Sequence, residues 1–117
     1  MDLIYKIVPV TLWREAEASG SFTGAPVDHA DGFIHFSSSD QLRETARKHF
    51  AGQNDLLLVA VDPAKLGDAL DDLRYECSRG GALFPHLYVA LPLAAVAWAR
   101  RLPIGSDGLH VFPEEVP

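Results

Sequence analysis

Apolar and polar positions fall into short, bounded runs, and their spacing predicts a succession of elements. Leu3 to Val8 reads as a first strand, after which Pro9 and Thr11 open a short helix through Leu12 to Ala18 that Gly20 ends. Residues 21–31 carry Gly24, Pro26 and two aspartates without clear periodicity and read as a loop. Gly32 to Phe36 reads as a strand that turns sharply at Ser37-Ser38-Ser39 into a helix. Overlapping capping signatures there precede a face shared by Leu42, Ala46, His49 and Phe50. Leu56 to Val61 is a nearly continuous apolar run, which suits a central strand covered on both faces. Beyond the turn-rich stretch 63–72, Leu73 to Cys77 is a short strand, Ser78 to Gly81 a tight connection and Phe84 to Tyr88 a further strand. Pro92 begins another turn, and the alternation Ala94, Val96, Trp98 marks a last strand running to Arg101. Two helices in the amino-terminal half and strands after them define an α+β class with a mixed or antiparallel sheet.

Size and composition narrow the picture. A chain of 117 residues holds one core, so residues 1–113 are expected to form a single compact domain and residues 114–117 a disordered tail. A content of 48% hydrophobic and 22% charged residues is that of a globular protein, with no repeat, heptad or low-complexity stretch. The net charge of −6 argues against extensive nucleic-acid contact, and Arg43, Arg47 and Lys48 offer a local basic patch at most. Cys77 is the sole cysteine, so no internal disulfide forms, and it reads as a buried, inert thiol. Nothing at the amino terminus resembles a signal region, and the longest apolar stretch, 87–99, is interrupted by Pro92 and too short to cross a bilayer. A cytoplasmic protein without a membrane partner is expected.

Candidate chemistry centres on two strings, Gly32-Phe33-Ile34-His35-Phe36-Ser37 and Phe84-Pro85-His86-Leu87-Tyr88. Each places an imidazole where a plain core would hold Val or Leu, so each needs a polar partner. Taken singly, His35 reads equally as a core histidine bonded to a carbonyl, and His86 as the anchor of a strand end. Ser37 is first a helix cap, and Glu76 is equally an exposed strand residue paired with Arg74 or Arg79. Trp13 and Tyr88 read as core or pocket wall, and His29, His49 and His110 as ordinary. Taken together, His35, His86 and Glu76 read as the lining of one pocket, with the amides of Ser37 and Ser38 at the start of a helix available to a phosphate.

These residues resemble a known family. Ile4-Tyr5-Lys6-Ile7, Trp13, Asp31 to Ser37, Glu76 and Phe84 to Tyr88 are similar over nearly the whole chain to the bacterial domain-of-unknown-function family DUF952. The resemblance implies an ADP-ribosyltransferase-like fold. Within that fold, Ile34-His35-Phe36-Ser37 resembles the His-Val-His-Leu-Ser string of the RNA 2′-phosphotransferases. The prototype transferases hold the NAD ribose with an early-strand His or Arg, a place that Tyr5 and Lys6 take here. The resemblance thus implies NAD, ADP-ribose or another phosphorylated nucleotide as ligand. Glu76 and His35 would be catalytic, and Lys6, Tyr5, Ser37, Ser38, His86 and Tyr88 would be ligand-binding.

Three classes of function remain open from the residues. The first is a transferase-like enzyme in which Glu76 stabilises positive charge developing on a ribose, in full, weak or lost form. The second is a metal enzyme built on the two-histidine, one-carboxylate set His35, Glu76, His86. The third is a non-catalytic ligand-binding or interaction domain that keeps the pocket but not the chemistry; a nucleotide bound there would be drawn by the Lys6 ammonium as a point charge. The cofactor, NAD or none, is left open.

Overall fold

The structure is a computed structural model that describes residues 2–117, apart from the side chain of Arg79. Strand β1 (Ile4–Pro9) pairs antiparallel with β4 (Leu56–Val61), and β4 pairs on its other edge with β8 (Val96–Arg101). The apolar run thus lies at the centre of the sheet, and every residue of β4 is buried. Its alternate residues serve two cores. Leu57, Val59 and Val61 join Ile4, Trp13, Phe22, Ile34 and Leu87 on one side, and Leu56 and Leu58 join Ile7, Leu42 and Leu102 on the other.

A second antiparallel sheet has the order β3 (Ile34–His35), β6 (Leu83–Leu87), β5 (Leu73–Cys77). Ile34 and Leu87 turn inward to the first core, which sends their neighbours His35 and His86 to the opposite face. Reciprocal bonds between Tyr5 and Ser37, N–H to O at 2.8 and 2.9 Å, join the sheets. A two-stranded pair, β2 (Ser21–Phe22) with β7 (Leu91–Pro92), completes the antiparallel pattern.

Helix α1 (Val10–Ser19) buries Trp13 and Ala16 and ends at Gly20. Helix α3 (Ser39–His49) buries Leu42 and Ala46, two of the residues placed on its predicted face. At its start the Gln41 side chain accepts from the Ser38 N–H at 3.0 Å and donates to the Leu83 carbonyl at 2.7 Å, tying the helix to β6. Between them lies α2 (Pro26–Asp31), a third helix in the segment expected to be a loop. Six residues are too few to show a period. The local chemistry nevertheless specifies the helix: Pro26 opens it, Asp28 accepts from the Ala25 N–H at 2.7 Å, and Gly32 closes it at φ 85°.

Other differences are local. The first histidine string is a strand only over Ile34–His35, and β8 begins at Val96 because Leu93–Ala95 forms a 3-10 turn. Cys77, expected to be buried, is exposed, because β5 is an edge strand and Leu83, opposite Cys77, is itself 54% exposed. Near the chain end, Val116 lies in the second core and Glu115 pairs with Arg100 at 2.6 Å. Among the described residues no helix is long and apolar enough to cross a membrane.

Candidate functional site

The register of β3 and β6 places His35 directly opposite His86, so both imidazoles leave the same face of the sheet with ring centroids 5.5 Å apart. Phe33 fixes both. Its ring stacks on His86 at 4.1 Å and meets His35 at 4.5 Å, with Tyr88 at 5.2 Å.

Each histidine is held from behind by a carboxylate. The Nδ1 of His86 donates to Glu76 Oε1 at 2.8 Å, and the Tyr88 hydroxyl donates to the same oxygen at 2.6 Å. The Tyr88 bond first, and the His86 bond second, hold the Glu76 carboxyl below its ordinary value; the same bond raises the Tyr88 phenol. Glu76 is therefore ionised at neutral pH and Tyr88 keeps its proton. The expected pairing of Glu76 with Arg79 lies outside the described residues.

The Nδ1 of His35 donates to Asp28 Oδ1 at 2.6 Å, while its Nε2 faces Asp31 Oδ2 at 2.9 Å. Asp28 is 2% exposed and accepts further bonds from the His35 and Ala25 amides and from Lys6 Nζ, 3.1 and 3.0 Å from its two oxygens. Burial alone would push the Asp28 carboxyl up, but the His35 bond, the Lys6 charge and the two amides together bring it down to about 2. Burial lowers Lys6 in turn, although the Asp28 charge and bond pull the other way.

A cavity of about 530 Å³ opens beside this face. Its lining includes Tyr5, Lys6, His35, Ser37 and His86, all singled out from the sequence, together with Asp31, Thr45 and His49. Tyr5 is buried, its phenol raised by that burial and secondarily by Asp2, and its ring meets Trp98 at 6.0 Å. Ser37 Oγ lies 3.0 Å from Thr45 Oγ1. Glu76 lies behind His86, and Tyr88 beside it is 40% exposed.

Three expectations change. Lys6 is 8% exposed and faces both oxygens of Asp28, so its ammonium is not an unpaired charge awaiting phosphate. The amides of Ser37 and Ser38 are committed to the Tyr5 carbonyl and to Gln41, so neither offers a phosphate an N–H. His35, Glu76 and His86 meet as hydrogen-bonded pairs, and among the described residues no group of three or more His, Cys, Asp or Glu side chains is placed to hold a metal ion. Sequence reasoning overlooked Asp28, Asp31 and Phe33. The signal for the aspartates was a proline followed two residues later by an acid, with a glycine six after the proline, the punctuation of a short helix.

The family described as "Protein of unknown function (DUF952)" matches residues 7–99. The crystal structure of protein CC0527 from Caulobacter crescentus is similar to this chain at 46% identity, with a TM-score of 0.89 over 97% of both chains. A solution NMR structure of CC0527 gives 49% identity and a TM-score of 0.81, covering 93% of this chain and 91% of that one. No curated protein matches the sequence.

Proposed function

The chain belongs to the DUF952 family, proteins of unknown function, and from the geometry of its cavity we propose that it binds a nucleotide through the ribose. The observation that carries this reading is the Glu76 carboxylate. Both of its donors, Tyr88 and His86, bond Oε1, and among the described residues none bonds Oε2. Glu76 stands behind His86, which lines the cavity of about 530 Å³, and its side chain is 37% exposed, so its ionised Oε2 at the cavity's rim suits a sugar hydroxyl, which needs an acceptor.

The resemblance to the ADP-ribosyltransferase-like fold supports the same ligands: NAD, ADP-ribose or another phosphorylated nucleotide. In that comparison Tyr5 and Lys6 stand on β1 where a ribose-holding His or Arg is expected, and Lys6 is committed to Asp28. Turnover of NAD is therefore weak or lost in this reading, with Glu76 and His35 as the candidate catalytic groups. Ser37, Thr45 and His86 line the ligand's path, Tyr88 acts through Glu76, and Ser38 serves the start of α3. A cytoplasmic location fits a chain whose single cysteine is exposed and unpaired.

Thermal denaturation with millimolar NAD, ADP-ribose and 2′-phosphorylated nucleotides tests the proposal. At a ligand concentration near 100 Kd the stabilisation is about 2.7 kcal/mol, which moves the midpoint of a domain this size by several degrees. Glu76→Gln should remove most of the shift. A wild-type midpoint indifferent to all of these ligands would refute it.

A further inference from the structure

The two histidines differ in a way that binding alone does not explain. His86 has Nδ1 on Glu76, which fixes its hydrogen there and leaves Nε2 with a lone pair; among the described residues Nε2 has no partner, and the ring lines the cavity. His35 has both nitrogens on carboxylate oxygens, Asp28 at 2.6 Å and Asp31 at 2.9 Å, and an imidazole donates at both positions only as the imidazolium. The charged and titratable groups facing it are Asp28 and Asp31 from α2, Lys6 from β1 and His86 from β6.

The two carboxylates on His35 are unequal. Asp28 is sealed beneath the ring, whereas the Asp31 side chain is 49% exposed at the end of α2 and lines the cavity. An anionic oxygen thus already lies against His35 Nε2, at a place a ligand's phosphoryl or leaving oxygen can reach by displacing Asp31.

Resting on the nucleotide-binding reading, we propose that the ligand is a phosphoester, with His86 as general base and His35 as general acid for its hydrolysis. His86 Nε2 takes the proton of an attacking water, whose oxygen forms a new bond to phosphorus. The bond from phosphorus to the ester oxygen breaks with its electron pair on that oxygen, which receives the proton of His35 Nε2. The ester and one water are the only reactants, and exchange with solvent returns both rings to their starting state. Phe33, packed against both imidazoles, keeps the two proton carriers aligned.

Two probes separate the roles: 2′,3′-cyclic AMP, whose leaving sugar oxygen needs a proton, and the p-nitrophenyl ester of a nucleoside 5′-phosphate, whose phenolate leaves without one. Wild type should hydrolyse both. His35→Gln should lose about a hundredfold on the cyclic nucleotide and less than about fivefold on the nitrophenyl ester, because general-acid help is needed only for the poor leaving group. His86→Gln should lose about a hundredfold on both. Binding of the nucleotides, seen as a raised melting midpoint, without wild-type turnover of either probe would overturn this proposal and leave the binding reading standing. A His35→Gln loss as large on the nitrophenyl ester as on the cyclic nucleotide would also overturn it, while neither binding nor turnover would sink both readings. If a glutamine variant does not fold, His35→Asn or His86→Asn takes its place in the same comparison.

Discussion

Asp28 joins the chemistry of the site to the stability of the chain. A carboxylate 2% exposed survives ionised only because Lys6, His35 and two amides surround it. Its folded value of about 2 lies below the ordinary 3.8, so the stability it contributes is fully present above about pH 4 and is lost as pH falls toward 2. The drop corresponds to about 2 kcal/mol. Urea unfolding at pH 5 and at pH 2.5 should show that loss in wild type, and Asp28→Asn, less stable at pH 5, should show a shallower dependence. An unchanged slope in the variant would place the acid sensitivity elsewhere. The sequence made His35 and His86 visible because an imidazole in an apolar run is conspicuous. Asp28 was invisible because an aspartate among turn residues is commonplace, and its burial follows only from the packing of α2 against β3.

At the scale of elements, those with a sustained apolar or β-rich pattern were legible and those without one were misread. Leu56–Val61 and Leu73–Cys77 match their strands residue for residue, since apolar continuity and β-rich composition persist across their full length. Helix α2 and strand β3 hold six and two residues, and tertiary contacts rather than period fix them. Gly32 terminates α2 at φ 85°, where an added Cβ would meet nothing within 4 Å, so Gly32→Ala isolates backbone strain from crowding. The expected cost is about 1 kcal/mol in urea unfolding. Because Asp28 and Asp31 ride on that helix, nucleotide affinity should fall along with stability; lost affinity with stability intact would mean that the helix end contacts ligand directly.

Across the whole molecule, two antiparallel sheets joined by the Tyr5–Ser37 bridge frame a cavity lined by Asp31, with the carboxylates of Asp28 and Glu76 behind its two histidines. The α+β class was legible in the sequence, which left the sheet mixed or antiparallel, whereas the antiparallel pairing throughout and the division into separate sheets depend on long-range pairing that no local pattern encodes. With a net charge of −6 and Lys6 neutralised by Asp28, an anionic nucleotide approaches against the field. Added salt screens that repulsion over roughly 10 Å at 0.1 M, so the association rate for ADP-ribose should hold or rise as salt increases. A steep fall, measured by stopped flow, would expose a free cation at the site. The burial of Asp28 and Lys6 also bears on how relatives of this protein should be read. A descendant that abandoned its chemistry would still draw stability from this ion pair, so finding it in another chain says nothing about activity. The solvent-facing Asp31 and Tyr88, which the core can do without, are the positions where an abandoned activity would first leave its mark.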